Sequence, residues 1–200
     1  MRRLVYLISP NKIQNNFFGK LEKVLASRRV KFFQLRLKKF SKNQILEIGK
    51  KIKKITKKYK VQLIINDNAE IAKILDAEGC HLGQKDGSVL KARFHLRKKV
   101  IGVTCHNSKV LAKKAIIEKA DYLAFGSFYD SKLKPNAKKT NFNILKWAKK
   151  NIKKPIIAIG GIDNSNYKKL LKLGAKYIAI SSYIWDNPKL KPEIAIRKFK

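Results

Sequence analysis

Acidic residues are scarce in this sequence, and several aspartates stand where reactive groups could gather. The chain of 200 residues has 13 acidic side chains against 48 basic ones. Asp67, Asp86, Asp130 and Asp163 each follow a short apolar run that is typical of a β-strand. Two carboxylates that converge on one spot repel each other unless a cation lies between them. Oxygen ligands favour Mg²⁺, especially where a phosphate completes its shell, so Asp67 and Asp86 are predicted to bind Mg²⁺. Asp163 has a simpler explanation as a helix N-cap.

A basic segment, QLRLK at 34–38, leaves the second predicted strand. Side chains two apart in a strand point the same way, so Gln34, Arg36 and Lys38 are predicted to face the interior together. Cations there need an anion, because an unpaired buried charge is strongly destabilising. A bound substrate and a carboxylate of the protein both remain open as that anion. Asn66, which ends the third strand, adds an amide that can contact a heterocycle or a phosphate.

Alternating strands and helices must position these residues. Short β-branched runs alternate with longer segments of 3.6-residue period. Strands are predicted at 4–8, 30–35, 61–65, 79–82, 100–104, 121–126, 155–160 and 177–181. Helices are predicted near 14–27, 43–59, 68–77, 87–97, 108–119, 141–151, 164–173 and 188–199. This order predicts an α/β fold, a (β/α)8 TIM barrel with a parallel closed sheet, in one domain spanning 1–200. A Rossmann or flavodoxin-like sheet would leave some strands unexplained.

Small residues after the last two strands favour phosphate binding. Gly160 and Gly161 follow strand 7, where backbone N–H groups can approach an oxyanion closely. Ser181 and Ser182 end strand 8, and loops after strands 7 and 8 are the usual phosphate site of this barrel. A glycine pair is also an ordinary turn, so the prediction depends on the glycines and serines together.

Histidine and one loop lysine are further candidates. His106 lies just after strand 5 and is placed for acid–base chemistry. His81 is expected to be a hydrogen-bonded core imidazole, and His95 is expected on a helix surface. Lys134 lies in a loop at 130–139 that is long enough to form a flap over the barrel mouth.

The net charge of +35 is extreme and raises the question of nucleic-acid binding. Only eight of the 48 basic residues are arginine, whereas base readers and phosphate clamps favour arginine. The lysines follow the polar faces of predicted helices, which favours a solvated surface over specific nucleic-acid binding. No apolar run is long enough to span a membrane or form a signal-peptide core. Cys80 and Cys105 are expected to be core thiols in a reducing cytoplasm.

Several motifs together resemble the thiamine phosphate synthase and thiazole tautomerase-like family. They are QLRLK (34–38), IINDN (64–68), GCHLGQKD (79–86), IGVTCHN (101–107), ADYLAFGSFYDSKLK (120–134), PIIAIGGI (155–162) and GAKYIAISS (174–182). Their order and spacing agree with the family over nearly the whole chain. The HLGQ-x-D segment is the most specific of them.

The resemblance implies a (β/α)8 barrel enzyme, a transferase of thiamine biosynthesis. The implied reaction joins hydroxymethylpyrimidine diphosphate to thiazole phosphate, with Mg²⁺, and releases diphosphate. Diphosphate leaves first, and the thiazole nitrogen then captures the pyrimidine carbocation. The implied contacts are Gln34, Arg36, Lys38 and Asn66 with pyrimidine diphosphate, Asp67 and Asp86 with Mg²⁺, Thr104 and Lys134 with diphosphate, and Ser131, Gly161 and Ser182 with thiazole phosphate. Among these, Arg36, Lys38 and Lys134 are implied to stabilise the leaving group.

The chain departs from the family pattern at two places. Leu37 stands where the family usually has glutamate between the arginine and the lysine. The flap commonly has prolines and two threonines before its lysine, whereas Ser127, Asp130, Ser131 and Leu133 stand here. Leu133 cannot donate to a phosphate, and Asp130 is expected to repel one.

Two other functions remain open, a thiazole tautomerase with His106 as the proton carrier and nonspecific nucleic-acid binding. Asp67, Asp86, Arg36 and Lys38 favour the synthase, because a tautomerase has no diphosphate to bind. The sequence leaves the oligomeric state open, a homo-oligomer included.

Overall fold

Eight parallel strands close into a barrel in which each strand pairs with the next one along the chain and β8 pairs with β1. The computed structural model describes residues 3–130 and 139–200. The strands are β1 (Val5–Ile8), β2 (Val30–Leu35), β3 (Gln62–Asn66), β4 (Gly79–Leu82), β5 (Val100–His106), β6 (Tyr122–Phe125), β7 (Ile156–Ile159) and β8 (Tyr177–Ile180). The helices are α1 (Phe17–Ala26), α2 (Lys42–Lys58), α3 (Ala69–Ile74), α4 (Val89–Leu96), α5 (Lys109–Ile117), α6 (Asn143–Asn151), α7 (Tyr167–Lys172), α8 (Ser182–Trp185) and α9 (Pro192–Ala195). The predicted (β/α)8 TIM barrel is confirmed.

The predicted helix at 188–199 is wrong over its first third, 188–191. The helical residues there are α9 and a 3₁₀ turn at Ile196–Lys198. Asn187 uses its side-chain oxygen to accept two backbone N–H groups of the following residues, which holds a loop. Pro192 has no N–H to give to a preceding turn and therefore begins the helix. The short helix α8, directly after β8, was not predicted.

Two apolar layers hold the barrel together. One fills the interior with inward side chains, and the other packs the outer faces of the strands against the helices. The interior layer consists of Tyr6, Ile8, Phe32, Ile64, Tyr122, Ala124, Ile157 and Ala179. Gly102 on β5 is part of this arrangement, because a Cβ at that position would overlap the ring of Tyr122. The inward phenol of β6 therefore depends on a glycine of the neighbouring strand.

Serine side chains cap the first turns of several helices. The Ser41 hydroxyl accepts the N–H of Gln44 at 3.3 Å, and the Gln44 side chain accepts the N–H of Ser41 at 2.9 Å, which forms a capping box at the start of α2. The Ser108 side chain likewise accepts the N–H of Leu111 at the start of α5. The predicted N-cap role of Asp163 is wrong, because α7 begins at Tyr167 with Asn166 at its N-cap position. Asp163 instead accepts backbone N–H groups of the turn that precedes the helix.

Acidic residues near the amino ends of the strands tie the helices to the sheet. Glu78 accepts the N–H of Leu63 at 2.7 Å and pairs with a lysine of α2. Asp121 accepts the N–H of Ile101 at 2.8 Å and pairs with an arginine of α4. Both carboxylates therefore have structural roles at the amino ends of the strands, the face opposite the carboxyl ends.

Exposed lysines lie on every helix from α1 to α7, so positive charge surrounds the barrel. A nucleic-acid site would need that charge on one face. The distribution favours the predicted solvated surface. Within residues 3–130 and 139–200, no helix is both long and apolar enough to cross a membrane.

Candidate active site

The carboxyl ends of the strands surround a cavity of about 940 Å³, a volume typical of small-molecule sites. Many of the predicted site residues line it. They are Gln34, Arg36, Lys38, Asn66, Asp67, Asp86, Thr104, Gly161, Ser181 and Ser182. The predicted Ser131 and Lys134 lie outside the described residues, as does most of the predicted flap. The barrel closure therefore gathers groups from β2 to β8 around one space.

Asp67 and Asp86 lie side by side at one edge of this cavity. Burial raises the pKa of Asp86, and hydrogen-bonding contact with the Asp67 carboxyl raises it further. The N–H of Gly83 donates to Asp86 Oδ2 at 2.9 Å, and Lys38 Nζ lies 3.2 Å from Asp67 Oδ2. Two anions held this close favour a cation between them.

The donor set fits a hard cation that takes its other ligands from water or substrate. In the described chain, no group of three or more His, Cys, Asp or Glu residues could hold a metal by itself. Mg²⁺ usually binds through one or two carboxylates together with phosphate oxygens and waters. The Asp67–Asp86 pair therefore fits Mg²⁺ bound together with a phosphorylated substrate.

Gln34, Arg36 and Lys38 face the cavity from the end of β2, as the period of two predicts. The backbone N–H of Arg36 donates to Ser9 Oγ at 3.0 Å, and its guanidinium donates to Asn11 Oδ1 at 3.2 Å. Burial lowers the pKa of Arg36, and the nearby Asp67 carboxylate offsets part of that shift, so Arg36 remains a cation at pH 7. In the described part of the chain, Arg36 has no carboxylate within ion-pair distance. Lys38 therefore has a protein carboxylate, Asp67, as its partner, whereas an anionic substrate is the partner that the contacts of Arg36 favour.

A chain of hydrogen bonds crosses the floor of the cavity from β2 to β5. Gln34 Nε2 donates to the Tyr6 hydroxyl at 3.0 Å, and the hydroxyls of Tyr6 and Tyr122 are 2.8 Å apart. The Tyr122 hydroxyl lies 2.9 Å from His81 Nδ1, and His81 Nε2 lies 2.8 Å from Thr104 Oγ1. Burial raises the pKa of both tyrosines, so both stay neutral at pH 7. This chain fixes the orientation of the Gln34 amide and the Thr104 hydroxyl at its two ends.

The opposite side of the cavity depends on close backbone packing. Gly160 and Gly161 follow β7 with φ values of 105° and 57°. A Cβ on Gly160 would overlap Ser127, and one on Gly161 would overlap the backbone carbonyl of Asp130. Glycine is therefore required here by the approach of the segment after β6 as well as by the backbone angles. The Ser181 hydroxyl donates at 3.2 Å to a backbone carbonyl just after β1 and so joins the last strand to the first.

The remaining histidines and cysteines lie as the sequence predicts. His81 is buried within the hydrogen-bond chain, and His95 is exposed on α4. His106 is exposed, lines the cavity and is the last residue of β5, so the strand is longer than predicted. Cys80 and Cys105 are buried free thiols, and burial raises the pKa of each to about 12. Both thiols are therefore unreactive at neutral pH.

Comparison with known proteins agrees with this geometry. A family model described as thiamine monophosphate synthase matches residues 5–184. This chain belongs to the thiamine monophosphate synthase family.

Similar proteins with this family name come from several organisms. A thiamine-phosphate synthase of Pelagibacter ubique is 57% identical over 200 residues, which cover 100% of this chain and 97% of that protein. A thiamine-phosphate synthase of Erythrobacter litoralis is 39% identical over 188 residues, covering 92% of this chain and 88% of the relative. The solved structure of thiamine phosphate pyrophosphorylase from Pyrococcus furiosus superposes with a TM-score of 0.87 at 25% identity, covering 98% of this chain and 93% of that one.

The departures from the family pattern are clearer in the structure. Leu37 is 5% exposed and points into the layer between β2, β3 and α2, away from the mouth. It lines a smaller cavity of about 330 Å³ on the outer side of the strand ends. Asp130 pairs with Lys139, whose Nζ lies 3.1 Å from Asp130 Oδ2, so the expected repulsion of phosphate is partly neutralised. Leu133 lies outside the described residues.

Sequence reasoning missed the two tyrosines of the hydrogen-bond chain and Thr140, which also lines the cavity. Tyr6 and Tyr122 stand in strands that are otherwise aliphatic, and a buried phenol usually needs a hydrogen-bond partner. A tyrosine within an otherwise aliphatic strand could therefore have indicated a buried hydrogen bond. Thr140 stands outside every predicted element, and its sequence position offered no comparable signal.

Proposed function

We propose that this barrel joins hydroxymethylpyrimidine diphosphate to thiazole phosphate and releases thiamine phosphate and diphosphate. A single observation carries the proposal. The paired carboxylates Asp67 and Asp86 and the cations Arg36 and Lys38 line one cavity in a member of the thiamine monophosphate synthase family. The chain is a transferase whose substrates are small molecules. We also propose that residues 1–200 act as one domain in the cytoplasm, a location with which two buried free cysteines are compatible.

The half of the mouth built on β2, β3 and β4 binds the diphosphate. Asp67 and Asp86 would hold Mg²⁺, which when bound would supply positive charge beside the leaving diphosphate. Arg36 approaches the same group from β2 with a planar set of donors suited to phosphate. Lys38 adds a second cation at the rim. Lys134, outside the described residues, is proposed as a further diphosphate contact on the strength of the family resemblance.

This set of groups suits a dissociative reaction. The bond between the pyrimidine methylene carbon and the diphosphate oxygen breaks, and its electron pair leaves with the diphosphate. The thiazole nitrogen then donates its lone pair to that carbon, so no side chain has to act as a nucleophile. Cations fixed in advance around the leaving group lower the barrier because they need no reorganisation as charge develops.

The buried hydrogen-bond chain positions the pyrimidine. Gln34 and Thr104 end the chain at the cavity, where their polar atoms contact the ring and the diphosphate, and Asn66 adds an amide beside them. Thiazole phosphate lies toward β7 and β8, near Gly161, Ser181 and Ser182. Ser131 is assigned to the same phosphate by resemblance alone.

The direct test is synthesis by the purified chain. Both substrates with Mg²⁺ should yield thiamine phosphate and diphosphate in equal amounts, measured by chromatography and a coupled diphosphate assay. Omitting either substrate, or chelating the metal, should abolish both products. Absence of thiamine phosphate at saturating substrate would overturn the proposal. Thiazole isomerisation that needs neither Mg²⁺ nor the pyrimidine would indicate the tautomerase, which the family match and the names of the relatives do not favour.

Tyr122→Phe is expected to raise KM for the pyrimidine diphosphate while leaving KM for thiazole phosphate unchanged. The change removes the hydroxyl that joins Tyr6 to His81, and the Gln34 and Thr104 ends of the chain lose their fixed orientation. Leaving buried partners unsatisfied should also lower the free energy of unfolding by about 1–3 kcal/mol. Steady-state kinetics with each substrate varied in turn, together with urea denaturation, measures both effects.

Tyr167→Phe is the matched control. The Tyr167 hydroxyl is also buried between two hydrogen bonds, both to the backbone of Lys200, and lies away from the cavity. It should cost similar stability without changing either KM. Equal KM effects in the two variants would mean that the chain has only a structural role.

A further inference from the structure

Thr140 has a buried hydroxyl without a hydrogen-bond partner. The residue is 6% exposed, and its Oγ1 makes no hydrogen bond within the described part of the chain. Buried polar side-chain atoms in folded proteins nearly always have a partner, because leaving one unpaired is destabilising. Thr140 also lines the mouth cavity. A partner supplied from within that cavity would account for the hydroxyl.

Backbone contacts place Thr140 on the phosphate side of the mouth. Its N–H donates to the backbone carbonyl of Ser127 at 2.8 Å. Ser127 in turn packs so closely on Gly160 that a Cβ there would overlap its side chain. Thr140 therefore stands beside the β6 and β7 ends, apart from the β2–β4 sector that contains Asp67 and Asp86.

Two serine hydroxyls that line the same cavity already donate their protons to the backbone. Ser127 Oγ donates to the carbonyl of Tyr129 at 2.8 Å, and Ser181 Oγ donates to the carbonyl of Ser9 at 3.2 Å. Thr140 can still donate, and a threonine hydroxyl is a single O–H donor. An oxyanion would form the strongest hydrogen bond with such a donor in a partly buried site, because hydrogen bonds to charged groups are stronger than those between neutral groups.

We propose that the Thr140 hydroxyl binds the phosphate of the thiazole substrate directly. This inference rests on the proposed function and adds to it a binding residue that the family resemblance does not assign. Lys139, the adjacent residue, also lines the cavity and pairs with Asp130 at 3.1 Å. That pair offsets the negative charge that Asp130 introduces next to the phosphate.

Thr140→Val tests the assignment, because valine keeps the shape and removes the hydroxyl. The dissociation constant for thiazole phosphate, measured by calorimetry, should rise roughly tenfold to a hundredfold, the range for a lost hydrogen bond to a charged group. Binding of the unphosphorylated thiazole alcohol and KM for the pyrimidine diphosphate should not change. The unfolding temperature should equal or exceed that of the parent chain, since an unpaired buried hydroxyl has been removed.

Thr56→Val is the matched control. Thr56 is fully buried on α2, away from the cavity, and its hydroxyl donates to the carbonyl of Lys53 at 3.1 Å. This variant should unfold at a lower temperature and bind thiazole phosphate normally. Thr140→Ser, which keeps the hydroxyl, should bind thiazole phosphate nearly as tightly as the parent and covers the case in which the valine variant does not fold.

The failures of the two proposals are distinguishable. If the parent chain binds thiazole phosphate and makes thiamine phosphate while Thr140→Val binds it equally well, the assignment of Thr140 is wrong and the enzyme stands. A loss of stability in Thr140→Val that matches Thr56→Val would also overturn the assignment. If the parent neither binds thiazole phosphate nor makes product, the proposed function itself fails.

Discussion

Asp67→Asn should lower kcat/KM for thiamine phosphate formation by about 10²-fold or more, because charge on the leaving diphosphate would lose most of its stabilisation. The asparagine keeps the size of the side chain and removes one of the two carboxylates that hold Mg²⁺. The Mg²⁺ concentration that gives half-maximal activity should rise as well. Initial rates measured over a Mg²⁺ titration give both quantities.

Asp86→Asn provides an internal check on the same carboxylate pair. If both aspartates act through one cation, the double variant should be little worse than either single variant, because residues that act as a unit are not additive. Asp163→Asn is the control, since Asp163 accepts its hydrogen bonds in the turn before α7 and lies outside the cavity lining. Unchanged kcat/KM in Asp67→Asn at saturating Mg²⁺ would contradict the metal assignment.

Arg36→Met should reduce kcat/KM by about 10²-fold, an effect comparable to the loss of one preorganised donor at developing charge. Arg36 is half-buried and hydrogen-bonded to Ser9 and Asn11. Asp67 is near enough to act on its charge, but no carboxylate of the described residues lies within ion-pair distance, so a substrate anion can make that contact. Folding stability should change little, because no ion pair within the protein is broken. Kinetics with each substrate varied and thermal unfolding separate these two expectations.

Two further variants help to interpret that result: Arg36→Lys separates the effect of charge from that of shape, and Arg197→Met is the control. The lysine keeps the charge and loses the planar fork, so it should recover only part of the activity. Arg197 is exposed in the 3₁₀ turn far along the chain, and its replacement should leave turnover unchanged. Full activity in Arg36→Met would show that this guanidinium does not contact the diphosphate.

The strands and their order could be predicted because each strand of a closed parallel barrel is buried on both faces and reads as a short apolar run. The residues at strand ends followed from the same geometry, since every loop after a strand opens on one face. This is why Asp67, Asp86 and Arg36 could be placed together from sequence. The predicted helix at 188–199 failed because one proline and one asparagine side chain decide the local path there.

Contacts across the barrel could not be predicted in the same way. Tyr6 and Tyr122 are 116 residues apart, and their hydroxyls meet only because strand tilt and register bring β1 and β6 together across the interior. Leu37 departs from the family pattern and was expected to change the site. Because side chains alternate along the end of β2, it points toward the helices instead. Thr140 depends on the path of an irregular segment, for which local sequence offers no period.

Gly102 on β5 can influence the substrate site although it does not line the cavity. Gly102 does not line the cavity, yet any side chain there would displace the Tyr122 ring and separate its hydroxyl from His81. If the hydrogen-bond chain positions the pyrimidine as proposed, a mutation at Gly102 would alter discrimination among pyrimidines although the new side chain makes no contact with the substrate. Whether position 102 tolerates a substitution depends on the space around the Tyr122 ring, and its distance from the ligand does not predict this.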